Sequence, residues 1–125
     1  MLSRLLLIAS AGAVGTLARY GLSGLVQRIA GPAFPWGTVT VNLSGCFLFG
    51  LVWIYFTEKV SLSGDLRTIV LVGFMGAFTT FSTFVFETGG MLQGGQWLAA
   101  AANLTLQNLL GLAALFLGSV LGRAL

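Results

Sequence analysis

No histidine occurs in the chain, cysteine occurs once, and charge is confined to six basic and three acidic side chains. These absences exclude most chemistry at the outset. There is no acid pair, no set of metal-ligand cysteines and no phosphate-binding glycine loop followed by lysine, so acid–base and nucleophilic catalysis lack their usual equipment and the chain is not read as an enzyme. Cys46 has no second cysteine with which to form an intrachain disulfide, and it reads as a small packing residue. The basic residues are scattered rather than run together, which leaves no nucleic-acid footprint.

What is present is apolar. Hydrophobic residues make up 57% of the chain and glycine occurs 18 times, a balance that a water-soluble domain of this size does not keep. A membrane span needs about 20 mostly apolar residues, and four such stretches are expected, at residues 2–26, 38–57, 67–92 and 97–121. They account for nearly the whole of residues 1–125, read as a single transmembrane domain of all-α class with short loops. The N-terminal run through Ala9-Ser10-Ala11 resembles a secretory signal, but cleavage there would leave 12–26 too short to span and would strand Arg19, so the run is read as the first span.

The third span has an unusual centre. Gly73 and Gly76 are followed by the hydroxyls of Thr79, Thr80, Ser82 and Thr83, interleaved with Phe78, Phe81 and Phe84. A lipid-facing helix has no use for that pattern, and non-helical backbone at mid-membrane survives only if it is buried in protein or lines a polar cavity. The span is therefore expected to break near its middle. Free carbonyls at the end of the first half would favour a cation and free N–H groups at the start of the second would favour an anion, an arrangement used by discontinuous helices in transporters. Phe81 and Phe84 share a face; they are either packing residues or a pair of electropositive ring edges for a small anion.

The other spans supply polar groups to surround it. In the first, Ala11 and Gly15 form a small-xxx-small pair, and Arg19 either snorkels to the headgroups or faces a wet vestibule. Both prolines, Pro32 and Pro35, fall in the loop that follows. In the second, Thr38, Asn42, Gly45 and Phe49 share one face, so Asn42 points into the bundle, either to link helices or to donate to an anion. In the fourth, Asn103, Gln107, Gly111, Ala114, Gly118 and Gly122 form a stripe with Thr105 and Asn108 beside it, one half a polar track and the other a packing seam. Neutral donors of this kind suit a permeation pathway, since they replace hydration without holding an ion too tightly.

Gly12 to Tyr20 with Gly15 and Arg19, Gly37-Thr38-Val39-Thr40-Val41-Asn42, and Gly73 to Phe84 ending Thr79-Thr80-Phe81-Ser82-Thr83-Phe84 together resemble the Fluc/CrcB fluoride channel family over the whole chain. The resemblance implies an antiparallel, dual-topology homodimer in the cell membrane, the inner membrane if the host is Gram-negative, passing fluoride passively out of the cytoplasm and so limiting its toxicity. It implies a fluoride pathway through Asn42, Phe81, Phe84, Ser82 and Thr83, and a structural sodium ion at the dimer interface held by the backbone carbonyls of Gly76 and Thr79. It further implies an acidic position near a pore mouth at Glu87, which joins Arg19 as a vestibule candidate. The fourth span departs from the family pattern: where members carry serine or threonine, one and five positions after Gly111, this chain has Leu112 and Phe116, and Thr105, Gln107 and Asn108 are the candidates for its polar track.

Basic residues in short loops set orientation. Arg4, Lys59, Arg67 and Arg123 would lie on one side, Arg28 and Arg19 on the other, a modest bias that alone favours an inside N-terminus; dual insertion rests on the resemblance. Two rival functions are a small four-helix multidrug exporter, which would need an acid in the first span where this chain has Arg19 and none, and a structural membrane subunit whose glycines and amides only pack against partners.

Overall fold

The computed structural model describes residues 1–60 and 64–125; the middle of the loop read between Glu58 and Gly64, at 61–63, lies outside them. Helix α1 is Leu2–Ala30, stopped where Gly31 adopts φ 85 and Pro32 follows. Helix α2, Trp36–Ile54, begins directly after Pro35 and runs into a π-helical turn at Tyr55–Lys59. The third stretch consists of α3 (Gly64–Thr68), a π-helical segment Ile69–Met75, α4 (Gly76–Phe78) and α5 (Phe81–Gln93). The fourth consists of α6 (Trp97–Thr105), a π-helical turn Leu106–Leu110 and α7 (Gly111–Ala124). Four stretches, Leu2–Ala30, Trp36–Lys59, Gly64–Gln93 and Trp97–Ala124, are long and apolar enough to cross a membrane.

Glycine seams hold them together. Lipid tails are as apolar as leucine, so helices in a bilayer gain by close backbone approach rather than by hydrophobic exclusion. On α7, Gly118 lies against the Phe47 carbonyl and Gly122 against that of Leu51, while Gly50 of α2 receives the Leu115 carbonyl in return. On the other side, Gly15 of α1 meets the Phe74 carbonyl, and a methyl on Gly73 would come within 3.0 Å of Ala11 Cβ. The small-xxx-small pair thus receives the third stretch.

The side chains buried most completely are Val41 and Asn103, so the buried amide needs hydrogen-bond partners within the protein. Outward-facing leucines and aromatics dominate the rest; α1 buries only Gly15. At one end, exposed ion pairs join Arg4 to Asp65 at 3.1 Å and Arg123 to Glu58 at 3.3 Å, and Arg67 lies over the Trp53 ring at 5.3 Å. Exposed pairs of this kind contribute about 1 kcal/mol at most; the close backbone approaches decide the packing.

Candidate functional site

Between α4 and α5 the backbone leaves the helical region: Thr79 has φ −86, ψ 158 and Thr80 has φ −145, ψ 109. Each backbone group freed by such an excursion must find a partner if it is away from water. Thr80 supplies the first answer locally, because its hydroxyl caps α5 by accepting the Thr83 N–H at 3.2 Å and donates to Thr83 Oγ1 at 2.9 Å. The Ala77 carbonyl accepts from Arg19 Nε at 3.1 Å. Arg19 is therefore engaged, half-buried, at the end of α4 rather than facing the solvent alone.

The remaining groups are satisfied from α2. Asn42 Oδ1 accepts the Thr80 N–H at 2.8 Å and Asn42 Nδ2 donates to the Thr80 carbonyl at 3.0 Å. The side-chain amide thus pairs with one extended residue as a neighbouring strand would, and this two-point pairing fixes which way the amide faces. Its second Nδ2 proton goes to Gln107 Oε1 at 2.6 Å. Gln107 Nε2 donates to Asn103 Oδ1 at 2.9 Å, Asn103 Nδ2 donates to Thr88 Oγ1 at 2.9 Å, and Thr88 donates to the Phe84 carbonyl at 2.7 Å. A continuous directed chain of hydrogen bonds runs from the extended backbone through α2 and the fourth stretch to the backbone of Phe84.

Beside this chain lies a cavity of about 280 Å³ lined by Asn42, Gly45, Cys46, Phe49, Thr79, Thr80, Phe81, Phe84, Gln107, Asn108 and Leu115. The Phe81 and Phe84 rings stand 5.6 Å apart with their planes tilted by 59°. Phe84 is buried, whereas Phe81 is 75% exposed. The cavity walls are mostly apolar, with Asn42, Thr79, Thr80, Gln107 and Asn108 as their polar lining residues.

Of the residues singled out in the sequence, Asn42, Phe81, Phe84, Gln107 and Asn108 meet at this cavity, together with Thr79. Ser82 and Thr83 do not line it; Thr83 is engaged with Thr80, and the exposed Ser82 hydroxyl lies 3.4 Å from that of Thr80. Thr105 is exposed and lines none of the cavities described, and Asn108 Nδ2 bonds back to the Leu104 carbonyl at 2.7 Å. Glu87 sits elsewhere: Thr38 Oγ1 donates to its Oε1 at 2.8 Å, its Oε2 is buried with no hydrogen-bond partner among the described residues, and it lines a separate cavity of about 410 Å³ with Gln27, Pro32, Ala33, Phe34, Pro35, Met91 and Gln96. Gln27 shapes that opening by donating to the Gly31 and Phe34 carbonyls and accepting the Gly37 N–H.

Among the described residues no group of three histidine, cysteine, aspartate or glutamate side chains could hold a metal. Main-chain oxygens are a different matter. The ordinary helical donors to the Gly76 and Thr79 carbonyls are the N–H groups of Thr80 and Thr83, and these are taken by Asn42 and by the Thr80 side chain. Both carbonyls therefore lack their helical bonds, and such hard oxygens suit an alkali cation, whose hydration shell they replace. Thr88 and Thr80 are the site residues that sequence pattern undervalues. Asn103 and Gln107 are visible as an i, i+4 pair, but nothing along the third stretch marks Thr88 as the acceptor for Asn103.

The sequence matches the family described as CrcB-like protein, Camphor Resistance (CrcB), over residues 6–119. It is 59% identical over 123 residues to the fluoride-specific ion channel FluC of Solidesulfovibrio magneticus, covering 98% of both chains. It is 57% identical over 118 residues to the protein of the same name from Nitrosococcus oceani, covering 94% of each. The corresponding protein of Desulforapulum autotrophicum is 54% identical over 116 residues, with 93% of each chain covered.

Proposed function

This chain belongs to the CrcB-like family, and from that premise we infer that it is a multi-pass membrane protein that conducts fluoride passively out of the cytoplasm, limiting its toxicity. It is an ion channel and not an enzyme. The observation that carries the reading is the 280 Å³ cavity lined by two neighbouring phenylalanines together with neutral amide and hydroxyl residues. Fluoride is small, strongly hydrated and a strong hydrogen-bond acceptor, so donors and electropositive ring edges compensate its dehydration more fully than they would serve chloride, a weaker acceptor. The multidrug-exporter reading is not favoured, since Leu2–Ala30 contains no acid.

The working unit is an antiparallel homodimer with dual insertion, in which the third stretch is broken at mid-membrane. Phe81 and Phe86, 75% and 81% exposed, are the aromatics on α5 that a second copy would cover. The inverted copies recreate in two chains the inverted repeat that many transporters encode in one. The Gly76 and Thr79 carbonyls of both copies would hold a structural sodium ion, which neutralises the partial negative charge at the end of α4. Asn42, Phe81 and Phe84, with Ser82 and Thr83 beside them, line the fluoride pathway. Arg19 and Glu87 stand toward its mouths, and Gln107, Asn108 and Thr105 form the fourth-stretch track.

Fluoride efflux from liposomes containing the purified protein is expected to be fast and valinomycin-dependent, with little chloride flux. A well-folded dimer that releases no fluoride would remove the reading. Phe81→Ile is expected to lower fluoride flux by about two- to tenfold with the dimer intact, because an aliphatic side chain offers no polarised edge, and edge-directed aromatic contacts are worth about 0.5–1.5 kcal/mol. Undiminished flux would take that ring out of the mechanism.

A further inference from the structure

We propose that the crevice between α2 and the start of the third stretch holds an anionic phospholipid, with its phosphate on the Arg67 guanidinium and an acyl chain along Phe49 and Val72. Such a site would exist whether or not the protein conducts fluoride. Arg67 is the residue to account for. The chain has three acids, and each is engaged elsewhere: Asp65 pairs with Arg4, Glu58 pairs with Arg123, and Glu87 accepts from Thr38. Arg67 Nε is buried with no hydrogen-bond partner among the described residues, and the guanidinium carbon lies 5.3 Å from the centre of the Trp53 ring. The ring offsets part of the cost of a half-buried cation, but it accepts no conventional hydrogen bond and brings no negative charge. A phosphate supplies both, because the planar guanidinium fork fits its oxygens at two points.

The walls match the rest of a lipid. The crevice, of about 270 Å³, is lined by Phe49, Trp53, Arg67, Thr68, Leu71 and Val72. Along the third stretch, Leu71 and Val72 lie about one turn deeper than Arg67 and Thr68; along α2, Phe49 lies about one turn deeper than Trp53. Both walls therefore grade in the same direction, from a cation and an indole at the end of the span to hydrocarbon and phenyl within it. A phospholipid grades likewise from phosphate to chain, and basic pockets between spans are where lipid headgroups bind. Val72 is 64% exposed and Trp53 42%, so the crevice faces outward from this chain. Thr68 is already used, since its hydroxyl donates to the Gly64 carbonyl and accepts from Arg4, which leaves Arg67 as the donor to the headgroup. An inorganic phosphate would leave the apolar walls uncovered.

The test uses the full chain with Trp36→Phe and Trp97→Phe, which leaves Trp53 as its one tryptophan, in phosphatidylcholine vesicles containing brominated lipid. Bromine quenches an indole that it touches. Brominated phosphatidylglycerol is expected to quench Trp53 about fivefold more effectively than brominated phosphatidylcholine, the preference that one basic residue near the headgroups provides. Arg67→Gln should bring that ratio to about one, because the charge that sets it is gone. Lys59→Gln should leave the preference in place, since Lys59 does not line the crevice. A preference that survives Arg67→Gln, or that is lost with Lys59 instead, would mean diffuse attraction to the membrane surface and would overturn the assignment. A second copy seated on the crevice would shield Trp53, so an indole quenched by neither lipid would overturn it too. Should the tryptophan variants fail to assemble, native mass spectrometry of the wild-type protein released from equimolar phosphatidylglycerol and phosphatidylcholine decides: retained phosphatidylglycerol is expected in excess, and retention in the bulk proportion would sink the proposal.

Discussion

Asn42→Leu is expected to abolish fluoride flux and to lower stability by about 3 kcal/mol, since three half-buried polar groups lose their partners at about 1 kcal/mol each, the low end of the range for buried groups. Leucine has similar bulk, so no large cavity opens; what disappears is the pairing with Thr80 and the bond to Gln107. The three stranded groups are the Thr80 N–H, the Thr80 carbonyl and Gln107 Oε1. Against a total stability on the order of 5–15 kcal/mol, that loss decides whether the backbone at Thr79 and Thr80 keeps its extended form. The Thr80 N–H would regain a partner by bonding the Gly76 carbonyl in a continuous helix. That change would carry Phe81 and Phe84 round the helix axis and take their rings out of the cavity. Thermal unfolding in detergent, read alongside efflux, checks both halves of the claim. Near-wild-type stability and flux would mean that the Thr80 bonds are replaceable by water and that Asn42 is not the clamp.

The second large effect lies away from the cavity. Gly118→Ala is expected to prevent α2 and α7 from docking, with a cost of at least about 3 kcal/mol from overpacking. A methyl at this position runs into the Phe47 carbonyl and comes within 2.9 Å of the Phe47 carbonyl carbon and 3.0 Å of the Leu51 nitrogen. All three obstacles are backbone, which cannot rotate aside as a side chain can. Gly50 and Gly122 make the same kind of approach along this seam, so the helices cannot tilt about one glycine without disturbing the next. Gly24→Ala serves as the comparison, since its added methyl meets nothing within 4 Å; it should change stability by no more than about 1 kcal/mol, in the stabilising direction. Size-exclusion profiles and melting temperatures of the two variants separate the cases. Equal behaviour would mean that the close approach is looser than the backbone distances require.

Much of the site is legible along the chain because membrane helices write their faces into sequence. Asn42 shares a face with Gly45 and Phe49, and all three line the cavity. Phe81 and Phe84, three apart on α5, stand side by side. Gly118 and Gly122 read as a packing seam, and each lies against the backbone of α2. Other assignments do not follow from spacing. Ser82 and Thr83 sit between the two phenylalanines in sequence yet are absent from the cavity wall, since neighbours on a helix are turned by about 100° from one another. Arg19 reads as a headgroup or vestibule residue, whereas its guanidinium bonds the Ala77 carbonyl. That carbonyl is open to a donor only because the helix ends just beyond it, and no pattern on α1 carries that information.

The sequence by itself determined the class of this protein. Apolar composition and span length leave four stretches long and apolar enough to cross a membrane, and the motifs on three spans point to the family. These are properties of local composition and of short-range periodicity, which a one-dimensional string contains in full. Only the tertiary structure decided which polar groups are engaged and which are free. Asn42, Asn103 and Gln107 are all amides on inward faces, and their spacing does not show which group each of them bonds. Those partners include Thr80, 38 residues from Asn42, and Thr88, which Asn103 bonds across two stretches. A hydrogen bond depends on distance and angle between groups brought together by folding, so which donors stay unengaged is settled only once the helices have packed.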